Sequence, residues 1–192
     1  MTTRAMTTRW WRQTIPWGDI VVEVGPRGVT GIALPQSPVD ERVDAPQRDR
    51  AIARQLDEYF AGRRREFDVA LDLPDSLTDL QRRVLLTLRD DVGYGETVTY
   101  GELAEMAGRP GAARAVGATM ARNPVPFLIP CHRVVAANGI GGYGGGFGDG
   151  VALKRALLDL EGGVIEPLGP PGRAGRPRRV TGRDRRAALR AK

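Results

Sequence analysis

Three prolines within seven residues, Pro124, Pro126 and Pro130, forbid a helix through the apolar run that ends at Cys131. The run Asn123-Pro124-Val125-Pro126-Phe127-Leu128-Ile129-Pro130-Cys131 is therefore expected to be extended. Immediately behind it come His132, Arg133 and the β-branched pair Val134-Val135, then the glycine-rich stretch Gly139 to Gly146. Glycines there would let a flat ligand approach backbone atoms closely.

The chain contains one cysteine and one histidine, and they are adjacent. An intrachain disulfide is excluded, and a tetrahedral zinc site of Cys and His ligands cannot be assembled from two such residues. No metal is expected. A lone cysteine is either a small core residue or a nucleophile. A nucleophilic thiol must give up its proton, and His132 is the only imidazole available to take it. Neighbours along a strand rarely face each other, so a bridging water is the expected route between them. A carboxylate behind the ring would fix its tautomer. This pattern alone does not name the electrophile.

The rest of the chain supplies the frame. Asp19–Val24 and Val29–Leu34 read as strands about the turn Gly25-Pro26-Arg27-Gly28. Arg48–Phe60 has helical spacing at Ile52, Leu56, Tyr59 and Phe60. Phe67, Val69, Leu71 and Leu73 alternate as in a half-buried strand, and nothing in these first seventy-odd residues suggests a reactive site. Ser76 with Asp79 is expected to cap a helix running to about Arg89, and Thr99 with Glu102 to cap a second, short one. After the break Gly108-Arg109-Pro110-Gly111, residues Ala112 to Arg122 form an alanine-rich helix with Val116 and Met120 on one face. Two short helices about such a turn fit either a helix-turn-helix or an ordinary helical hairpin. Val151 to Leu160 reads as a last helix with Leu153, Ala156, Leu157 and Leu160 inward.

Charge is concentrated at one end. Residues 173–192 hold nine Lys/Arg and one acid, so the formal net charge of +6 hides a slightly acidic remainder. Such a Pro/Gly/Arg segment cannot bury a core and is expected to be disordered, either a phosphate-seeking arm or an idle end. No stretch is apolar enough for a membrane span and the N-terminal residues hold no apolar signal region, so the protein is expected in the cytoplasm.

From Tyr100 to Glu161 the chain closely resembles the methylated-DNA–protein-cysteine methyltransferases, the O6-alkylguanine-DNA alkyltransferases. The resemblance is carried by Ile129-Pro130-Cys131-His132-Arg133-Val134, Arg114-Ala115-Val116-Gly117, Asn123-Pro124-Val125-Pro126, and Tyr94-Gly95-Glu96 followed by Tyr100-Gly101-Glu102-Leu103-Ala104. It extends over about 76–162 and does not reach the tail. The resemblance implies an α+β fold: an N-terminal ribonuclease H-like α/β domain over 1–75, then a helical, winged-helix-like catalytic and DNA-binding domain with a helix-turn-helix over 76–166, and a basic tail over 167–192. It further implies direct, single-turnover repair, in which a flipped O6-alkylguanine reached through the minor groove of double-stranded DNA gives its alkyl group to Cys131. The protein would act as a monomer without a cofactor. By the same resemblance His132 takes the thiol proton through a water and Glu161 orients His132. Tyr100 helps displace the target phosphate and donates a hydrogen bond to the leaving guanine, and Arg114 replaces the extruded base. Asn123 braces the turn, Ala112 and Ala113 face DNA, and the Cys131 and Val134 carbonyls read the guanine amine. Tyr143, Gly144 and Met120 line the pocket.

The sequence departs from that family pattern in three places. Phe147-Gly148-Asp149-Gly150 reads as an insertion before the last helix, Leu80 stands where an aromatic ring is usual, and the arginine-rich tail is additional. Three other classes compete: a lesion sensor, whose relatives lack the cysteine, a Cys-His hydrolase, which would turn over repeatedly without DNA, and a transcription regulator, for which the sequence offers no regulatory module.

Overall fold

The computed structural model describes residues 8–35, 37, 48–144 and 150–162. It is a mixed α/β structure. Strands β1 (Arg9–Ile15), β2 (Gly18–Gly25) and β3 (Gly28–Ala33) form an antiparallel sheet in sequence order. In β1 the inward set is Trp11, Gln13 and Ile15, in step with the two-residue period of a strand, and Ile20, Val22 and Val24 face inward from β2. Helix α1 (Arg50–Phe60) starts at Asp49, whose carboxylate accepts from the amides of Ala51 and Ile52. It packs Ala53, Leu56, Tyr59 and Phe60 into the core.

The returning segment differs from the alternation-based expectation. Phe67–Leu73 is not a full strand; only Leu71 bridges Val29, in parallel, with Val29 N–H donating to Ala70 O and Asp72 N–H to Val29 O. Gly28 permits this approach, because a Cβ there would meet the Ala70 carbonyl.

Helix α2 (Asp79–Asp91) is capped two residues later than expected. Thr78 and Gln81 form the capping box, and Ser76 lies before it. The expected Thr99–Glu102 box does open α3 (Tyr100–Met106). Helix α4 (Ala113–Ala121) follows, burying Val116, Thr119 and Met120. Strand β4 (Val98–Thr99) pairs in parallel with β5 (Val134–Val135), which ties the start of α3 to the residues just after the Cys-His pair.

The proline run is not extended throughout. It reverses on itself: Pro126 bridges Ile129, Ile129 N–H donates to Val125 O, and Phe127 holds φ 71°. Prolines forbade the helix, and a reversal satisfied the backbone groups instead. Residues Cys131–Arg133 then form one 3-10 turn. The last helix, α5 (Gly150–Leu160), buries Lys154, Leu157 and Leu158, whereas Leu153, Ala156 and Leu160 are only partly covered. The helix is thus rotated from its expected face, with a lysine inside.

A single hydrophobic cluster runs from the sheet through α1 to the helical part. Phe60 meets Phe127 edge-on at 5.1 Å, and Ile32 N–H donates to Pro124 O at 2.8 Å. Aromatic edge contacts add about 0.5–1.5 kcal/mol each beyond buried area, so this seam is a firm junction. Among the described residues no helix is long and apolar enough to cross a membrane, and no cluster of His, Cys, Asp and Glu could hold a metal ion. Residues 145–149 and the tail, where the expected insertion mostly falls, lie outside the described residues.

Candidate active site

The β4–β5 ladder decides the site. By pairing Val98 with Val134 and Thr99 with Val135, it sets Tyr100, the first residue of α3, beside the turn that carries Cys131. A cavity of about 200 Å³ opens there, lined by Tyr100, Gly117, Met120, Cys131, Tyr143 and Gly144 among others. That is below the roughly 300–1,000 Å³ typical of drug-sized ligand sites, a scale that suits one flat ring system. Cys131 is 6% exposed, on the cavity wall.

Burial pushes the Cys131 thiol up, while the side chains of Asn123 and Tyr143 and the charge of Lys154 oppose that shift. The resting sulfur is a thiol that needs a base. Tyr143 is pushed well up by burial and by the sulfur's charge; its hydroxyl makes no hydrogen bond of ordinary geometry among the described residues, yet lies near enough to favour the thiolate. Burial, then the Cys131 charge, raises Tyr100 as well, which keeps its proton available for donation.

Asn123 spans the reversal. Its Nδ2 donates to Ile129 O at 2.8 Å and its Oδ1 accepts from Val125 N–H at 3.2 Å. These bonds hold the approach to Cys131 in one shape.

Behind the sulfur lies a buried, charged knot. His132 is fully buried, with Nε2 2.9 Å from Glu161 Oε1. Arg133 clasps the same carboxylate with two bonds, Nε to Oε2 at 2.8 Å and Nη2 to Oε1 at 2.9 Å, and donates Nη1 to Val92 O at 2.8 Å. Gly95 N–H adds a bond to Oε2 at 3.2 Å. Gly95 has φ 77°, and a Cβ there would press on the Glu161 carbonyl at 2.9 Å, so the close approach needs glycine. Burial by itself would raise Glu161, but the hydrogen bonds from His132 and Arg133 and their charges carry it well below the usual carboxylate range. It is ionised whenever the protein is folded near neutrality.

His132 is pulled below its ordinary value, first by burial, against the opposing pull of Glu161. The ring is therefore neutral near neutral pH. With Nε2 bonded to a carboxylate, which can only accept, the proton sits on Nε2. Nδ1 is left as a bare acceptor, buried and without a partner among the described residues. A buried acceptor of this kind is open to a donor such as a water.

The expected site residues fall into three groups. Cys131, Tyr100, Met120, Tyr143 and Gly144 come together around the cavity. His132 and Glu161 meet behind it. Arg114, Ala112 and Ala113 lie at the start of α4, with Arg114 exposed and the alanines half-buried. Val134 is buried just beyond the reactive turn.

Three participants went unassigned from sequence. Arg133 was quoted within a motif but given no role. Lys154 sits on the buried face of α5 and donates Nζ to Val134 O at 2.6 Å and to Gly142 O at 3.1 Å. Burial lowers its pKa to about 8. A lysine between Leu153 and Leu157 in an otherwise apolar stripe was the available signal. Tyr59, read only as a core position of α1 in a region whose sequence suggests no reactive site, reaches the carboxylate knot.

The profile described as "6-O-methylguanine DNA methyltransferase, DNA binding domain" matches residues 79–163. A methylated-DNA–protein-cysteine methyltransferase of Mycobacterium tuberculosis is 53% identical over 108 residues, covering 56% of this chain and 61% of that protein. The one from Methanosarcina acetivorans is 44% identical over 124 residues, covering 64% of this chain and 75% of that protein. The match thus spans about three fifths of the mycobacterial relative's length. The crystal structure of the M. tuberculosis O6-methylguanine methyltransferase superposes with TM-score 0.71 at 36% identity, covering 86% of this chain and 97% of that one. A structure of the M. tuberculosis protein in complex with DNA superposes equally well, TM-score 0.71 at 39% identity, over 80% and 93% of the two chains. With a relative matched over three quarters of its length and the reactive turn intact, this chain belongs to the methylated-DNA–protein-cysteine methyltransferase family.

Proposed function

We propose that this protein repairs DNA by transferring an alkyl group from O6-alkylguanine to Cys131, once per molecule. The observation that carries the reading is the pairing of a cavity-lining thiol with an adjacent imidazole whose Nε2 is held by Glu161 and whose Nδ1 is bare.

In this reading the thiol proton passes through a water to His132 Nδ1. The imidazolium is stabilised by Glu161, whose charge is fixed by Arg133. Sulfur attacks the alkyl carbon in line, the carbon–O6 bond breaks, and its electron pair goes to the guanine. Tyr100 Oη donates to the departing base, which otherwise leaves poorly. The thioether product resists mild hydrolysis, so the sulfur is spent and no cofactor is called for.

The finer structural assignments follow the same reading. The β-β-β-α order before residue 75 supports a ribonuclease H-like N-terminal domain, and α3 and α4 about their glycine turn support a helix-turn-helix. α4 would enter the minor groove, where its small residues Ala112 and Ala113 allow close approach. Arg114 would occupy the stack left by the flipped base, its planar cation suited to stacking and hydrogen bonding. Lys154 would hold the Val134 carbonyl in place beside the guanine amine; a carbonyl has two lone pairs, so it can accept from both. The protein would act as a monomer in the cytoplasm.

The test is titration with duplex DNA carrying O6-methylguanine, read by intact-protein mass. A plateau at one methyl per chain is expected. Unmodified protein, or continued turnover on an ester or amide, would refute the reading.

A further inference from the structure

The carboxylate knot has a donor from the other end of the chain. Tyr59, on α1, is fully buried and donates Oη to Glu161 Oε1 at 2.7 Å; the same oxygen lies 3.4 Å from His132 Nε2. Tyr59 is separated by 102 residues from Glu161. Its ring is gripped edge-on or tilted by Phe60 and Phe67, both at 5.1 Å, and by Tyr94 at 6.2 Å.

We infer that Tyr59 is a positioning residue for alkyl transfer: its hydroxyl, delivered by the N-terminal helix, locks Glu161 and so holds His132 in the tautomer that leaves Nδ1 free. This rests on the alkyl-transfer reading above and deepens it. Glu161 Oε1 accepts from Tyr59, His132 and Arg133 Nη2, and Oε2 from Arg133 Nε and Gly95 N–H. A carboxylate offers about four lone-pair sites, so these donors saturate it and leave it no rotation. A phenylalanine would satisfy the packing alone. A buried hydroxyl needs a partner, and this one is given the residue that orients the base.

The hydroxyl also sets the charge that His132 meets. Several groups face the imidazole. Glu161 and Lys154 come from α5 and its end, Arg133 and Cys131 from the reactive turn, and Tyr59 from α1. Tyr94, with Arg65 and Arg133 over its ring, packs behind Tyr59 and Glu161, and Tyr143 lies on the sulfur side. Of these, only Tyr59 and His132 share Oε1 as uncharged donors. Removing the Tyr59 donor concentrates negative charge on the atom that His132 keeps, so the imidazolium is favoured earlier on acidification and the ring is less firmly seated.

The experiment is Tyr59→Phe in the full chain, with the methyl-transfer rate measured against pH. A rate drop of roughly tenfold at neutral pH is expected, the loss of one hydrogen bond to a charged group. The acidic limb should also move to higher pH. The chain has one histidine, so the ¹⁵N titration of His132 reads the same shift without activity. A lowered melting temperature with an unmoved limb and an unmoved His132 titration would overturn the inference, leaving Tyr59 a packing residue. If Tyr59→Phe does not fold, the wild-type protein decides: an exchange-protected Tyr59 hydroxyl proton close to the His132 Nε2 proton supports the role, and its absence refutes it. Wild-type protein that takes no methyl sinks the repair reading instead, while the His132 titration of the two proteins still decides the part played by Tyr59.

Discussion

Cys131 and His132 are neighbours in sequence, yet the two sides of that peptide are built in opposite ways. The cavity side carries groups kept in reserve: a thiol whose pKa burial raises, a Tyr143 hydroxyl without a partner of ordinary geometry among the described residues, and glycine backbone at Gly144. On the far side nearly every polar atom is used, with Tyr59, His132, Arg133 and Gly95 all donating to one carboxylate. Among the described residues of the knot, His132 Nδ1 breaks that rule. The difference separates two tasks. A mouth that must accept a ligand keeps its bonding capacity open, and the base behind it is held rigid so that one bare nitrogen keeps its place. Substitutions in the mouth should therefore cost chemistry with little stability, and substitutions in the knot should cost both.

The largest effect expected is from Cys131→Ala. Transfer should vanish while binding to duplex DNA and the melting temperature change little, measured by intact mass, gel shift and thermal unfolding. A large stability loss would erase the contrast between the two sides. Next, Arg133→Ala should destabilise the fold by about 3–5 kcal/mol in denaturant unfolding, because it leaves Glu161 buried with its main counter-charge gone. A loss under about 1 kcal/mol would show that the knot is slack. Tyr100→Phe should slow transfer by about 100-fold and leave unfolding nearly unchanged, the usual scale for removing a positioned proton donor. Arg114→Ala is smaller and selective: repair in duplex DNA should weaken more than reaction with free O6-alkylguanine base, and equal losses would count against a role in the base stack.

Acid should attack the knot and spare the mouth. His132 is held below its ordinary value, so over that window the folded state binds fewer protons than the unfolded chain and stability falls as pH drops. Glu161 is held well below the usual carboxylate range, so its contribution is present above the unfolded carboxylate value, about 4.3, and is lost as pH falls further. Both losses run in the same direction. Glu161→Gln should remove the second of them, checked by denaturant unfolding at a series of pH values; an unchanged acid limb would mean that other carboxylates set it.

The mouth was legible in the sequence and the knot only in part. Prolines, a lone cysteine and a glycine-rich loop are local signals that single out Cys131 and the loop after it, while the pocket places of Tyr143 and Gly144 came from the family resemblance. The Thr99–Glu102 capping box is equally local and was read correctly, whereas Thr78–Gln81 displaced the competing Ser76–Asp79 pair by two residues. Tyr59 could not be read, because an apolar spacing treats a tyrosine as core and says nothing of where its hydroxyl goes across 102 residues. The face of α5 was misjudged because a buried Lys154 was counted as polar; two backbone carbonyls receive it. Alternation at Phe67–Leu73 promised a strand, but Leu71 alone finds a bridge partner, in Val29 of β3.

The central claim is that the single imidazole rests neutral, with its proton on Nε2 and Nδ1 bare toward its task. ¹⁵N NMR of the uniformly labelled protein near pH 7 reads this directly, since one histidine gives one pair of ring nitrogens. The account predicts a protonated Nε2, its proton in slow exchange with solvent, and an unprotonated Nδ1. An Nδ1–H tautomer, or an imidazolium at that pH, would contradict it.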